Sequence, residues 1–252
     1  MPEPKIIDVN SENVEETGFF CYMSKRKSEG YQRKLDWLKA RFAEGMRIQM
    51  LELPERGFIE YLPGEFAWRA VRAEDYLFIH CLWVVGKSKR KGYSGILLEE
   101  CVKAAKDTGK KGVAMLTSES NWLVGKKALL KYGFASAAEE PPFTLMVKRF
   151  GKADLPTFSG SWEEKARRFG AGLTVIRTAQ CPYIPDAADT VHEAARELGI
   201  ECRVVELKSS EEIREKAPSP YGVFSIVYNG RLMSYHYLLP KDMKAALIKA
   251  AT

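Results

Sequence analysis

Histidine is scarce in this 252-residue chain: there are three, His80, His192 and His236. Five cysteines (Cys21, Cys81, Cys101, Cys181, Cys202) form no C-x-x-C pair and are odd in number. That excludes a zinc finger, a His-rich metal site and a secreted disulfide framework, so no metal is expected. Most of these thiols are expected to be buried apolar fillers, Cys101 on a helical pattern among them. No apolar run reaches the roughly 18 residues that cross a bilayer, which argues against a membrane partner. The start, Met1-Pro2-Glu3-Pro4-Lys5, lacks a basic stretch leading into an apolar one; the default is a soluble cytoplasmic protein. Neither G-x-x-x-x-G-K-[ST] nor G-x-G-x-x-G occurs, nor any internal repeat. With 46% hydrophobic residues the chain is globular, not disordered.

What is present is a modest positive charge. The chain carries 39 Lys+Arg against 33 Asp+Glu, net +6. Residues 1–150 hold +5 of this and residues 151–252 only +1. The surplus lies in Lys25-Arg26-Lys27 and in Lys87, Lys89, Arg90 and Lys91. A nucleic-acid binder spreads charge along a face; two local clusters suit a compact anion better, and no nucleic acid is expected.

A Gly-, Pro- and Ser-rich stretch after Phe150 divides the chain into residues 1–150, a linker at 151–171 and residues 172–252. The first part reads as mixed α/β. Helices are expected over Glu29–Glu44, Tyr93–Asp107 and Lys126–Tyr132. Strands are expected at Arg47–Glu52, Gly57–Tyr61, Trp68–Val71, Tyr76–Val85, Gly112–Thr117 and Phe143–Val147. The nearly continuous apolar run Tyr76–Val85 reads as a central strand buried on both faces.

The most informative stretch is the exit from that strand: Gly86-Lys87-Ser88-Lys89-Arg90-Lys91-Gly92-Tyr93-Ser94-Gly95. A buried strand enters a Gly- and Lys-rich loop and passes directly into a helix. Gly92 and Gly95 remove side chains where backbone approaches a ligand or turns tightly. Free amides at a helix start bind phosphate-type anions.

Lys89-Arg90-Lys91-Gly92-Tyr93-Ser94 resembles the acetyl-CoA pyrophosphate signature [RQ]-x-x-G-x-[GA] of GNAT acetyltransferases. Asn121 and Ala128…Gly133-Phe134 resemble that family's last helix and strand. The resemblance spans about residues 5–150. It implies a splayed mixed β-sheet with flanking helices and acetyl-CoA in the gap. Pantetheine would pair with backbone at Leu82 and Val84, and pyrophosphate would sit on the amides of Arg90 to Gly95. Lys89, Lys91, Tyr93, Ser94 and Asn121 complete the implied cosubstrate site. Three positions depart from the pattern. Lys89 replaces Arg or Gln. Ser94 replaces a second small residue, where its hydroxyl could cap the helix. Leu129 stands where the family commonly has its Tyr general acid.

For the base, two residues are candidates. Glu60 lies on a strand facing the acceptor side, or else on its solvent face. His80 lies on the central strand, where it either titrates near neutrality or is a satisfied core residue.

The second part reads as strand Leu173–Thr178, helix Pro185–Leu198, strand Cys202–Leu207, helix Ser210–Lys216, a hairpin Val223–Tyr237 about Asn229-Gly230, and helix Asp242–Ala251. That order is the order of a thioredoxin-like core. Cys181-Pro182-Tyr183-Ile184 resembles the Cys-Pro-Tyr-Cys start of glutaredoxins with its second cysteine replaced by Ile184. A thiol before a helix start is activated by the dipole; the other reading of Cys181 is a relic of the fold. The whole resembles YoaP-type two-domain acetyltransferases. Its implied activity is acetyl transfer from acetyl-CoA to an amine of a small molecule or peptide. The accessory domain would shape the acceptor site, sense redox state or support a homodimer. The alternative is an acyl-CoA-binding regulatory or redox-sensing protein that uses Cys181 and turns over little.

Overall fold

The computed structural model describes residues 4–119 and 123–251. In chain order its elements are β1 (Ile6–Val9), α1 (Val14–Thr17), α2 (Glu29–Phe42), β2 (Arg47–Leu51), β3 (Gly57–Pro63), β4 (Val71–Arg72), β5 (Tyr76–Val84), α3 (Tyr93–Asp107), β6 (Gly112–Ser118), α4 (Lys126–Leu130), β7 (Ala135–Glu140), β8 (Phe143–Arg149) and β9 (Thr157–Phe158). After these come α5 (Trp162–Arg167), β10 (Leu173–Arg177), α6 (Ile184–Glu197), β11 (Cys202–Glu206), α7 (Ser210–Lys216), β12 (Phe224–Tyr228), β13 (Arg231–Ser234) and α8 (Pro240–Ala251). Among the described residues no helix is long and apolar enough to cross a membrane.

The residues group into two units. One holds residues up to Lys25, Leu38–Ala67 and Val71–Phe158; the other holds Arg26–Trp37, Trp68–Ala70 and the chain from Ser159 onward.

In the first unit a seven-stranded sheet runs β1-β2-β3-β5-β6-β8-β7. Only β5 and β6 pair in parallel; the other neighbours are antiparallel. A parallel neighbour needs a crossover, and α3 supplies it. Leu97, Cys101 and Ala105 repeat every four residues along α3, which places them on one face. With Leu98 they pack on Ile59, Tyr61, Leu77, Ile79, Val113 and Met115. Burial pushes the Cys101 thiol well above its ordinary value. Cys101 is therefore the filler expected of it, whereas Cys21, Cys81, Cys181 and Cys202 are only half-buried.

Three expectations for this unit need correction. The strands β1 and β7 are absent from the pattern read along the chain. β7 reads Ala-Ser-Ala-Ala-Glu-Glu, with none of the branched or aromatic residues that mark strands. It becomes a strand because β8 pairs with it from Ala135↔Val147 to Glu140↔Phe143. Third, Trp68–Val71 is not a strand; only Val71–Arg72 pairs, with Thr157–Phe158 of β9. β9 lies within the stretch expected to be linker.

In the second unit the sheet order is β11-β10-β12-β13. β10 and β11 are parallel, and both pairings of β12 are antiparallel. Its core joins Leu173, Val175, Phe224 and Ile226 of the sheet to Ile184, Ala188, Val191 and Ala195 of α6 and to Met243 and Leu247 of α8. Ser209 caps α7 by accepting from the Glu212 amide. Asn229, at φ 50°, and Gly230, at φ 71°, form the hairpin turn that their dipeptide predicts.

Candidate functional site

The central feature of the first unit is where β5 and β6 part. They pair from Tyr76↔Gly112 to Ile79↔Met115 and no further. Both strands continue. β5 stays on β3 as far as Val84, and β6 stays on β8 as far as Ser118. Among the described residues no strand pairs with the β6-facing edge of β5 beyond Ile79. Leu82 and Val84 lie on this unpaired length.

A bulge sits at the same level. Glu60 pairs with Cys81 and Tyr61 with Ile79, so His80 is the extra residue. A bulge re-aims side chains. Ile59, Tyr61, Ile79 and Leu82 belong to the core beneath α3; by alternation Glu60, with His80 and Cys81, takes the opposite face. There the His80 Nδ1 lies 3.7 Å from the Glu60 Oε1, with side chains 0% and 3% exposed. The solvent-face alternative for Glu60 is therefore excluded. The His80 ring also lies edge-on to Phe78, their centroids 6.0 Å apart. Farther along the same face Phe20 stacks on Phe58 at 4.8 Å, next to Trp83, which is 42% exposed.

Beyond Val84 the chain makes the basic turn. Gly92 is the N-cap of α3 with φ 83°, and no side chain caps the helix. Ser94 sits within the first turn and does not cap it, correcting the expectation for its hydroxyl. The first cap bond runs from the Gly95 N–H to the Gly92 carbonyl, 2.9 Å. The first-turn amides ahead of it have no helical partner, which makes the end electropositive. The two glycines act for different reasons. A Cβ on Gly92 would meet nothing within 4 Å, so glycine there serves the left-handed φ. A Cβ on Gly95 would stand 2.8 Å from Tyr132 Cε1 and 3.0 Å from its Oη. Gly95 thus makes room for a phenol against the first turn of α3. No pattern along the chain signals this contact, because 37 positions separate the two residues.

Of the basic side chains, Lys91 is paired: its Nζ lies 2.7 Å from Glu55 Oε1. Hydrogen bonds from Lys91 and then Ser88 hold the Glu55 carboxyl below its ordinary value. Leu129 is fully buried in the core beneath α3. Asn121 lies outside the described residues. No group of three or more His, Cys, Asp or Glu is placed to hold a metal among the described residues.

In the second unit Cys181 stands two residues before the N-cap of α6, Tyr183. Arg69, 3% exposed, donates to Gln180 Oε1 at 2.5 Å and lies over the Tyr221 ring. The Ala70 N–H donates to the Pro220 carbonyl at 3.3 Å.

The sheet, opened between two parallel strands and leading into an uncapped helix, has the splayed architecture of the GNAT acyltransferases. No protein-family model matches the chain. The chain is 31% identical over 242 residues to the uncharacterized N-acetyltransferase YoaP of Bacillus subtilis (strain 168), covering 92% of this chain and 94% of YoaP. The chain therefore belongs to the YoaP family of GNAT-type N-acetyltransferases. Among solved structures, the PaiA N-acetyltransferase of Thermoplasma acidophilum in complex with coenzyme A matches at 16% identity and a TM-score of 0.39, over 59% of this chain and 100% of that one. YncA of Salmonella typhimurium with acetyl-CoA matches at 15% identity and a TM-score of 0.42, over 62% of this chain and 99% of its own.

Proposed function

We propose that the chain transfers the acetyl group of acetyl-CoA to an amine of a small molecule or peptide. The observation that carries this is the parting of β5 and β6 after Ile79↔Met115 while both strands run on. It leaves one edge of β5 with backbone groups to pair, and an extended ligand with amides pairs with such an edge as an added strand does. A pantetheine arm has two amides. In this reading it lies along Leu82 and Val84. The diphosphate then rests on the amides of Arg90–Gly95, with Lys87, Lys89 and Arg90 around it.

The acceptor approaches from the face opposite α3. Its neutral nitrogen attacks the thioester carbonyl carbon, the C–S bond breaks, and the proton that nitrogen sheds as the amide forms passes through water to the departing coenzyme A thiolate. The acceptor ammonium must first lose a proton. We assign that proton to the Glu60–His80 pair, with the imidazole as carrier and the carboxylate balancing its charge. Both side chains are buried, so in this reading the proton reaches them by relay through the cleft and not by direct contact with the acceptor.

We further propose that the second unit is thioredoxin-like. The order β11-β10-β12-β13, with one parallel pair and two helices on one face, supports this. The loop after Cys181 packs against α2 within the unit, with Pro182 beside Gly30. Release of coenzyme A across a panel of amines tests the enzyme reading: one thiol per acetylated amine is expected. Binding of acetyl-CoA with no amine-dependent release would leave a sensor and not an enzyme.

A further inference from the structure

A carboxylate is out of place beside a site for a diphosphate, yet Glu55 is bonded into the basic turn from outside. Four hydrogen bonds tie the β2–β3 turn to it. The Val85 N–H donates to the Arg56 carbonyl at 3.0 Å. The Arg56 N–H donates to Ser88 Oγ at 2.8 Å. The Ser88 hydroxyl donates in turn to Glu55 Oε2 at 2.6 Å. Lys91 Nζ completes the ring on Glu55 Oε1 at 2.7 Å. Ser88 is 2% exposed, so its hydroxyl is held in a closed place. The turn it anchors contains three residues at positive φ: Gly86 at 60°, Arg90 at 64° and Gly92 at 83°. A short segment with that backbone and four like charges has many alternatives when nothing fixes it.

We propose that Glu55 is a positioning residue of this turn. Through Ser88 and Lys91 it presets the backbone so that the amides from Arg90 to Gly95 stay open to an anion. It also neutralises the charge of Lys91, leaving Lys87, Lys89 and Arg90 as the cations that meet the phosphates. This rests on the acetyl-CoA reading above. It explains why a negative group is tolerated where Coulomb repulsion alone would select against one: the ordering it provides outweighs the repulsion it adds.

The test uses the full chain with Glu55→Ala, Glu55→Gln, Ser88→Ala and the Glu55→Ala/Ser88→Ala double variant. It reads calorimetric binding of coenzyme A, steady-state kinetics and hydrogen exchange of the amides at residues 86–92. Glu55→Ala and Ser88→Ala are each expected to weaken coenzyme A about tenfold and to raise the acetyl-CoA KM alike, with kcat within twofold. The double variant should be no worse than either single one, because both break one ring. Glu55→Gln keeps an acceptor for Ser88 and removes the repulsion, so its affinity should return to within threefold of wild type. Exchange at residues 86–92 should quicken at least fivefold in Glu55→Ala without ligand. Wild-type affinity in Glu55→Ala together with unchanged exchange overturns the proposal. If the wild-type chain binds no coenzyme A, the acetyl-CoA reading falls instead, and the exchange rates still decide whether Glu55 orders the turn.

Discussion

Gly30 on α2 lies so close to Pro182 that a Cβ built on it would stand 1.9 Å from the Pro182 carbonyl oxygen. The obstacle is backbone and cannot rotate away. Gly30 is the second residue of α2, and it is close approach of backbone, not helix propensity, that decides the residue here. Gly30→Ala is expected to destabilise the second unit by roughly 1–3 kcal/mol, the usual cost of overpacking. Thermal unfolding followed by near-UV circular dichroism checks this; a higher melting temperature would show that the contact is not as close as described.

Gly92 is the opposite case, with open space and a strained φ. Gly92→Ala should cost about 1–2 kcal/mol from backbone conformation and weaken coenzyme A only moderately. Gly92→Glu adds a negative charge at the helix start and should reduce affinity at least a hundredfold. Equal affinity of the two variants by calorimetry would move the phosphate site elsewhere.

For the proposed Glu60–His80 pair, Glu60→Gln preserves shape and removes the carboxylate that balances the charge of His80. We expect kcat to fall about a hundredfold, within the range for general-base loss, and the acetyl-CoA KM to stay within threefold. A kcat within threefold of wild type would reduce Glu60 to a packing residue.

In the second unit, Glu206 meets Arg33 and, at 3.4 Å, Arg177. Burial pushes its carboxyl up, but hydrogen bonds and charge from the two arginines outweigh this and hold it below its ordinary value. A depressed carboxyl contributes stability above its unfolded value and loses it as pH falls through the folded one. Wild type should therefore exceed Glu206→Gln in urea resistance at pH 7, and the gap should close as pH drops from about 5 toward about 3. A gap that stays constant over that range would show that the ion pair contributes nothing.

Elements with internal periodicity are legible in the sequence: α3, the apolar β5, and the Asn229-Gly230 hairpin. The basic turn is legible because glycine and lysine spacing there reflects local chemistry. What escapes depends on distant partners. β7 is a strand only because β8 lies beside it. The phenol of Tyr132 sits in the space left by Gly95, and nothing local to either residue links them. Glu55 looks like an ordinary turn residue, since its meaning comes from Ser88 and Lys91. Trp68–Ala70 has the composition of a strand, yet its contacts are with Gln180, Pro220 and Tyr221.

Residues of the two units alternate along the chain, changing over at Lys25, Trp37, Ala67, Ala70 and Phe158. No single peptide-bond cleavage can then yield two complete pieces. A protease nicking the stretch before Phe158 would leave one fragment lacking a helix segment that the other fragment carries. A chain trimmed to its first 150 residues would carry the converse fault: Arg26–Trp37 and Trp68–Ala70 would be present with the rest of their own unit deleted.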